Sequence, residues 1–532
     1  MIYLLPHLIE QTAARYPDKE AFRCRGVGLT YAGLVQRANQ LAHTLIEQGV
    51  RRRDRVGIYL HKSLESAIAI YGIVKAGAAY VPLDPLAPAA RIGYVLRDCG
   101  IRHLITQDAK RRELQVIAAN CSDLRCLIGV DEPGDLSVTA LSWDSVRSAP
   151  DSAPRVVAME HDLAYIMYTS GSTGDPKGMM HTHYSGLSYA RMSAALYGVT
   201  AADRLSNHSP LHFDMSTFDY FSGPLAGATT VIIPEEYSKL PASLSKLIED
   251  ERLTIWYSVP FALIQLLLRG VLATRDLSSL RWVLYGGEPF PPKHLRALMQ
   301  ALPQARFGNV YGPAEVNQCT YYHVPPEYAT ATVGETTPIG VDCANVESLV
   351  VDDADQPVES GAPGELLIRA PTMMRGYWGR PDLTERAFYK RHPLADQANP
   401  GYVDVFYRTG DLVQTLPDGN YFFLGRKDRQ VKVRGYRVEL DEIEAALCAH
   451  AQVEEAGVYT VPDDAGSHRI EAAVTVANGA AVEMATLTQH VADRLPSYAV
   501  PGRIRIVDDF PRTTSGKINR RMLQAHAREQ EQ

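Results

Sequence analysis

Short apolar runs alternate with longer amphipathic patterns along most of this chain, and no other property of the sequence restricts its fold as much. RVGIYL, HLIT, RCLIGV, LAYIMYTS and TTVIIP read as strands, while LVQRANQLAHTLIEQG and HLRALMQALPQ repeat their apolar residues at helical spacing. Strands interleaved with helices predict an α/β architecture with mostly parallel sheets. From about residue 340 the texture changes to short strand-like pieces, ESLVVDD, GELLIRA and YFFLG, cut by Gly, Pro and Asp turns. That pattern predicts a small β-rich subdomain over about 340–427 closing a large lobe, residues 1–427. From 428 to 532 a compact α+β unit is expected, small and mobile, joined to the lobe at a hinge near Asp428.

With 532 residues and 46% hydrophobic content the chain can bury several cores. Its 54 basic and 61 acidic residues leave a formal charge of -7, which supplies neither a basic face for nucleic acid nor a polybasic membrane anchor. The N-terminus carries Glu10 and no basic leader, and apolar runs such as Ala67 to Val74 soon meet a charge, here Lys75. Neither a secretory signal nor a membrane span is expected. The seven cysteines are scattered outside zinc or redox spacings, which fits reduced thiols in a cytoplasmic protein.

The strand LAYIMY runs directly into TSGSTGDPKG, residues 169–178, which packs three glycines, four hydroxyls and a lysine into ten positions. Glycines let backbone N–H groups turn toward an anion, hydroxyls donate to phosphoryl oxygens, and Lys177 adds charge. Pyrophosphate is the natural guest. A mononucleotide P-loop is excluded by spacing, because Asp175 and Pro176 separate Gly174 from Lys177.

This loop resembles the signature of the adenylate-forming superfamily, which contains acyl-CoA synthetases, luciferases and nonribosomal-peptide adenylation domains. Further blocks of that family occur here in order: LTYAGL, KAGAAYVPLDP, NVYGPAE, GELLIRAP with GYW, YRTGDL, FLGRKDRQVKVRGYRVELDEIE, LPSYAVP and TTSGKINR. The resemblance implies two half-reactions, attack of a carboxylate on ATP to give an acyl-adenylate and pyrophosphate, then transfer to a thiol. It implies that Thr169, Ser170, Gly171, Ser172, Thr173, Gly174 and Lys177 cradle phosphates. Gly287, Glu288, Asn309, Tyr311, Gly312 and Phe423 would surround the adenosine, with Tyr311 and Phe423 against adenine. Asp411 would accept both ribose hydroxyls beside Arg426, and Glu315 would hold Mg²⁺. An aromatic face suits a purine and a carboxylate suits a hard cation. Lys517 in TTSGKINR is implied as the catalytic lysine, reaching carboxylate and phosphate in the transition state. Asp428 matches the family's hinge, and Gly435 lies where a pantetheine arm would pass.

HFDMSTFD, residues 212–219, matches the place where peptide-synthetase adenylation domains carry an acid for the substrate ammonium, here Asp214. An acyl-CoA synthetase gains nothing from a buried unpaired carboxylate. Matching flanking motifs adds Met215, Phe218, Phe261, Leu284, Gly286, Val310, Gln318 and Cys319 to the pocket. Its apolar wall suits a small apolar amino acid, and the signature resembles that of free-standing prolyl activators that charge carrier proteins; Gln318 is polar without an evident role for proline. The chain ends soon after Lys517, so a separate phosphopantetheinylated carrier protein is the expected acceptor. The rival enzyme is an acyl- or aryl-CoA ligase using free coenzyme A. A catalytically inert scaffold would not need Lys177, Glu315, Asp411 and Lys517 together.

Overall fold

The computed structural model describes every residue except 133, 135, 137, 172–174, 332–335, 393–400, 464–467, 477–481, 513–517 and 530–532. The chain separates into two compact units, one of residues 1–85, 96–168 and 178–427, the other of residues 86–95, 169–177 and 428–532.

Three sheets organise the first unit. A seven-stranded sheet is ordered Thr139–Leu141, Cys126–Ile128, His103–Ile105, Arg55–Ile58, Ala79–Pro82, Leu163–Thr169 and Lys177–Thr182. Its pairings from Thr139–Leu141 to Leu163–Thr169 are parallel. The strand before the glycine-rich loop is buried at Ala164, Tyr165, Ile166 and Met167. Unbroken burial of successive residues is what a strand covered on both faces requires, and it explains why LAYIMY lacks a polar alternation.

A nine-stranded sheet carries the site. Its order is Val341–Asp342, Thr320–Val324, Arg306–Tyr311, Trp282–Gly286, Ile255–Ser258, Arg204–Asn207, Thr229–Ile232, Glu20–Cys24 and Val27–Thr30. The central pairings are parallel, and antiparallel strands finish both edges. The helices Tyr31–Glu47 and Leu64–Lys75 contribute Leu34, Leu41, Leu45, Ile68 and Ile73 to one continuous core. They approach closely at Gly72, where a Cβ would lie 2.6 Å from Leu41 Cδ2, so glycine is what permits the contact. The third sheet is antiparallel and five-stranded, formed by Glu347–Val351, Pro363–Arg369, Asp404–Thr415, Phe388–Arg391 and Tyr421–Arg426. Mixed α/β structure with mostly parallel sheets is therefore the architecture the alternating pattern predicts.

The second unit has its own core. A hairpin, Gln430–Val433 with Tyr436–Glu439, precedes the helix Leu440–Cys448 and a three-stranded sheet of Val453–Pro462, His468–Val476 and Arg503–Ile506. Val438, Ile443, Leu447, Val458, Val474 and Leu487 are among its buried residues. Arg434 and Gly435 both have positive φ, 51° and 83°, between the paired residues Val433 and Tyr436. Two left-handed residues make the tight turn whose twist matches its strands, so glycine at 435 has a backbone cause of its own. Among the described residues no helix is long and apolar enough to cross a membrane. None of the seven cysteines forms a disulfide.

Candidate active site

The strand Arg306–Tyr311 delivers most of the site. It pairs with Trp282–Gly286 on one side, which sets Val310 opposite Gly286 and Asn309 opposite Tyr285. Gly286 has no room for a side chain, since a Cβ would lie 2.2 Å from the Val310 carbonyl oxygen. At Gly312 the chain turns, and a Cβ there would meet Asn317 O at 1.6 Å. The turn sends the chain back through Gln318 and Cys319, whose N–H donates to Tyr311 O (2.9 Å).

Tyr311, Asp411 and Arg426 form one polar group. The Tyr311 hydroxyl donates to Asp411 Oδ2, and Arg426 pairs with Asp411 Oδ1 at 2.5 Å. Asp411 and Arg426 face each other as register partners on adjacent antiparallel strands, which fixes the ion pair. Asp411 N–H also donates to Thr409 Oγ1 (3.0 Å). Burial, reinforced by the Asp411 charge, pushes the Tyr311 phenol well above its ordinary range, so it stays a donor. Phe423 is half-buried against the same core as Tyr311.

The Asn309 amide nitrogen donates to Pro338 O (2.8 Å) and Thr337 Oγ1 (3.2 Å). Glu288 Oε1 accepts the Phe261 N–H at 3.0 Å, beside Gly287 with φ of 92°. Glu315 is fully buried, and its Oε1 accepts the Tyr377 hydroxyl at 2.8 Å. Tyr377 is the central residue of the GYW block, whose spacing gives no hint of this role; its hydroxyl comes from 62 residues along the chain to the acid it serves. Behind Glu315, burial lowers His181 to about 4, against weaker raising contributions from Ala314 O and Glu315. No cluster of three His, Cys, Asp or Glu side chains suited to a metal occurs among the described residues. A single carboxylate fits a magnesium ion whose other ligands are phosphate oxygens and water.

The glycine-rich loop leaves its strand at Thr169 and returns at Lys177. Gly171 is buried, and Ser170 Oγ donates to Arg437 O (3.1 Å) inside the second unit. Ser172, Thr173, Gly174 and Lys517 lie outside the described residues. Asp428 accepts the Gln430 N–H through Oδ1 at 3.2 Å.

Asp214 opens a turn in which Thr217 donates through N–H (2.9 Å) and Oγ1 (2.6 Å) to Asp214 O. The turn leads into a wide π-type helical segment, Phe218–Ser222. Phe218 is 1% exposed and meets Tyr197 and Tyr257 edge-on, at 5.9 and 5.7 Å between ring centres. Met215, Leu284 and Val310 belong to that cluster. Burial raises the Tyr165, Tyr189 and Tyr257 phenols, and the Asp214 charge acts on all three in the same direction. Cys319 is buried and its thiol is raised by burial, which makes it packing rather than a nucleophile.

Two family models match the chain, AMP-binding enzyme over residues 9–378 and AMP-binding enzyme C-terminal domain over residues 442–517. It is 33% identical to an L-proline--[L-prolyl-carrier protein] ligase of Pseudomonas fluorescens over 97% of this chain and 98% of that protein. It is 36% identical to tyrocidine synthase 3 of Brevibacillus parabrevis over 98% of this chain, which spans only 8% of that relative's length. Among solved structures, the Vibrio cholerae adenylation domain AlmE, in complex with glycyl-adenosine-5'-phosphate, superposes with a TM-score of 0.85 at 25% identity, covering 99% of this chain and 98% of AlmE. The chain thus belongs to the AMP-binding enzymes, the family of adenylate-forming ligases.

Proposed function

We propose that this protein activates a small amino acid with ATP and passes it to the phosphopantetheine thiol of a carrier protein. In the first step a substrate carboxylate oxygen bonds to the α-phosphorus while the bond to the α–β bridging oxygen breaks, giving aminoacyl-AMP and pyrophosphate. In the second, the thiol sulfur attacks the acyl carbon, its proton is lost, and AMP departs. The observation that carries the amino-acid reading is the position of Asp214 at the head of the turn that leads through Met215 into the buried cluster of Phe218, Tyr197 and Tyr257. A substrate ammonium is the group such a carboxylate pairs with.

Alignment and charge neutralisation do the work, so no side-chain nucleophile is needed. Asp411, held by Tyr311 and Arg426, offers two oxygens for a vicinal diol, which supports a ribose role. Asn309, Gly287, Gly312 and Phe423 would line the base, and the loop from Thr169 to Lys177 the phosphates. Glu315 would hold Mg²⁺, which offsets phosphate charge when bound. Lys517 is proposed as the cation that meets carboxylate and phosphate together, Asp428 as a hinge and Gly435 as a pantetheine-channel residue. L-proline is the first amino acid to try, on the strength of the Pseudomonas relative and of apolar Met215, Phe218, Leu284 and Val310.

The test is amino-acid-dependent pyrophosphate exchange with proline, alanine, pipecolate, benzoate and hexanoate. Exchange confined to amino acids, and lost about 1000-fold in Lys517→Ala, is expected. Activation of benzoate or hexanoate with transfer to free coenzyme A would replace the proposal by an acyl-CoA ligase.

A further inference from the structure

Gln318 is 3% exposed, and its amide is only half satisfied. Nε2 donates to the Tyr197 hydroxyl (2.9 Å) and lies 3.5 Å from Cys343 Sγ, whereas Oε1 is buried and has no hydrogen-bond partner among the described residues. A buried carbonyl oxygen left alone is costly, and native structures rarely keep one without a reason.

Gln318 is also tied to the turn that presents Asp214. Asn317, in the left-handed region at φ 57°, donates through Nδ2 to Thr217 Oγ1 (2.9 Å), and the same Thr217 hydroxyl donates to Asp214 O (2.6 Å). Asn317 Oδ1 in turn accepts the Gln318 N–H at 2.9 Å. From the other direction, Gln318 holds Tyr197, whose ring packs edge-on against Phe218. The backbone carbonyl of Asp214 and the backbone N–H of Gln318 are therefore joined through Asn317 and Thr217, while the Gln318 side chain braces the Tyr197 ring that packs on Phe218.

We propose that Gln318 Oε1 accepts a hydrogen bond from the side chain of the substrate, so that the preferred substrates are small amino acids bearing a side-chain hydroxyl or N–H. This rests on the reading that Asp214 pairs with the substrate ammonium. Proline commits its amine to that carboxylate and has only carbon left in its ring, so it leaves Gln318 Oε1 alone. Threonine against valine, or 4-hydroxyproline against proline, changes one hydroxyl on an otherwise matched frame. A site with an unfilled acceptor selects the donor-bearing member, because the other buries the acceptor unpaired.

Pyrophosphate exchange on the wild-type enzyme with those two pairs decides the matter without any variant. The hydroxyl-bearing member of at least one pair is expected to show kcat/KM about tenfold or more above its partner. Gln318→Leu, close in size and without polar atoms, should erase that preference. Equal or better use of the apolar member in both pairs overturns the inference alone, as does a preference for O-methylthreonine, whose side chain can only accept. A hydroxyl preference that survives in Gln318→Leu also overturns it. Absence of exchange with every amino acid would strike instead at the amino-acid reading of Asp214.

Discussion

Two neighbouring stretches of the first unit solve the burial of polar atoms in opposite ways. Around Asp411, a phenol, a guanidinium, a threonine hydroxyl and a carboxylate satisfy one another through register partners on adjacent strands. Around Phe218, shape comes from aromatic packing, and the amide of Gln318 retains an open acceptor. The first arrangement is set before any ligand arrives and suits a ligand that never changes. The second leaves one interaction for the ligand to complete, and that is how a pocket discriminates.

The contrast can be broken from either side. Asp411→Ala removes the partner of a half-buried arginine and the acceptor of the Tyr311 hydroxyl, and is expected to cost about 2–3 kcal/mol of stability, read in urea melts, with a raised KM for ATP. An unchanged melt would mean the cluster is not the rigid half. Asp214→Ala should leave the melt nearly unchanged and lower amino-acid-dependent exchange about 100-fold, because the substrate ammonium loses its counter-charge. If both variants weakened ATP and amino acid use equally, the two regions would not be separable.

Acid sharpens the comparison. His181 and His183 are each lowered by burial to about 4, so they are neutral in the fold. Between the ordinary histidine value near 6.5 and pH 4 the unfolded chain binds protons that the native rings refuse. Stability is thus full above about pH 6.5 and declines as pH falls toward 4, by roughly 2–3 kcal/mol per ring. Urea midpoints at pH 7 and pH 5 measure it, and His181→Gln should flatten part of the slope. The smallest effect expected is for Gly435→Ala, about 1 kcal/mol from the positive φ, visible as a lower melting temperature.

Parallel sheets are legible in the sequence because periodicity is local, and the residues around Asp411 are legible because short motifs carry them. What escapes the sequence depends on distant pairing. Nothing near Gln318 says that Tyr197, 121 residues earlier, will take its amide nitrogen. Nothing near Glu315 announces the Tyr377 hydroxyl, and the extended segment at residues 337–338 that engages Asn309 lies beyond the strand that carries it. Gly435 is proposed as a pantetheine-channel residue, while its turn geometry is a sufficient reason for glycine by itself. A motif marks that a residue matters without separating the backbone from the ligand as the cause.

The segment around Tyr377 has a bearing on redesign. Met374 N–H donates to Glu315 O (2.7 Å), Tyr377 holds the Glu315 carboxylate, and Trp378 N–H donates to Gly178 O (2.7 Å) at the root of the glycine-rich loop. The Trp378 indole also donates to Asp98 O at 3.0 Å. Five residues thus moor the buried acid and the foot of the loop at once. A chimera that imports a foreign pocket between Asp214 and Cys319 inherits its acid's anchorage from this distant stretch, so crossover points for recombination belong after Trp378 rather than before Met374.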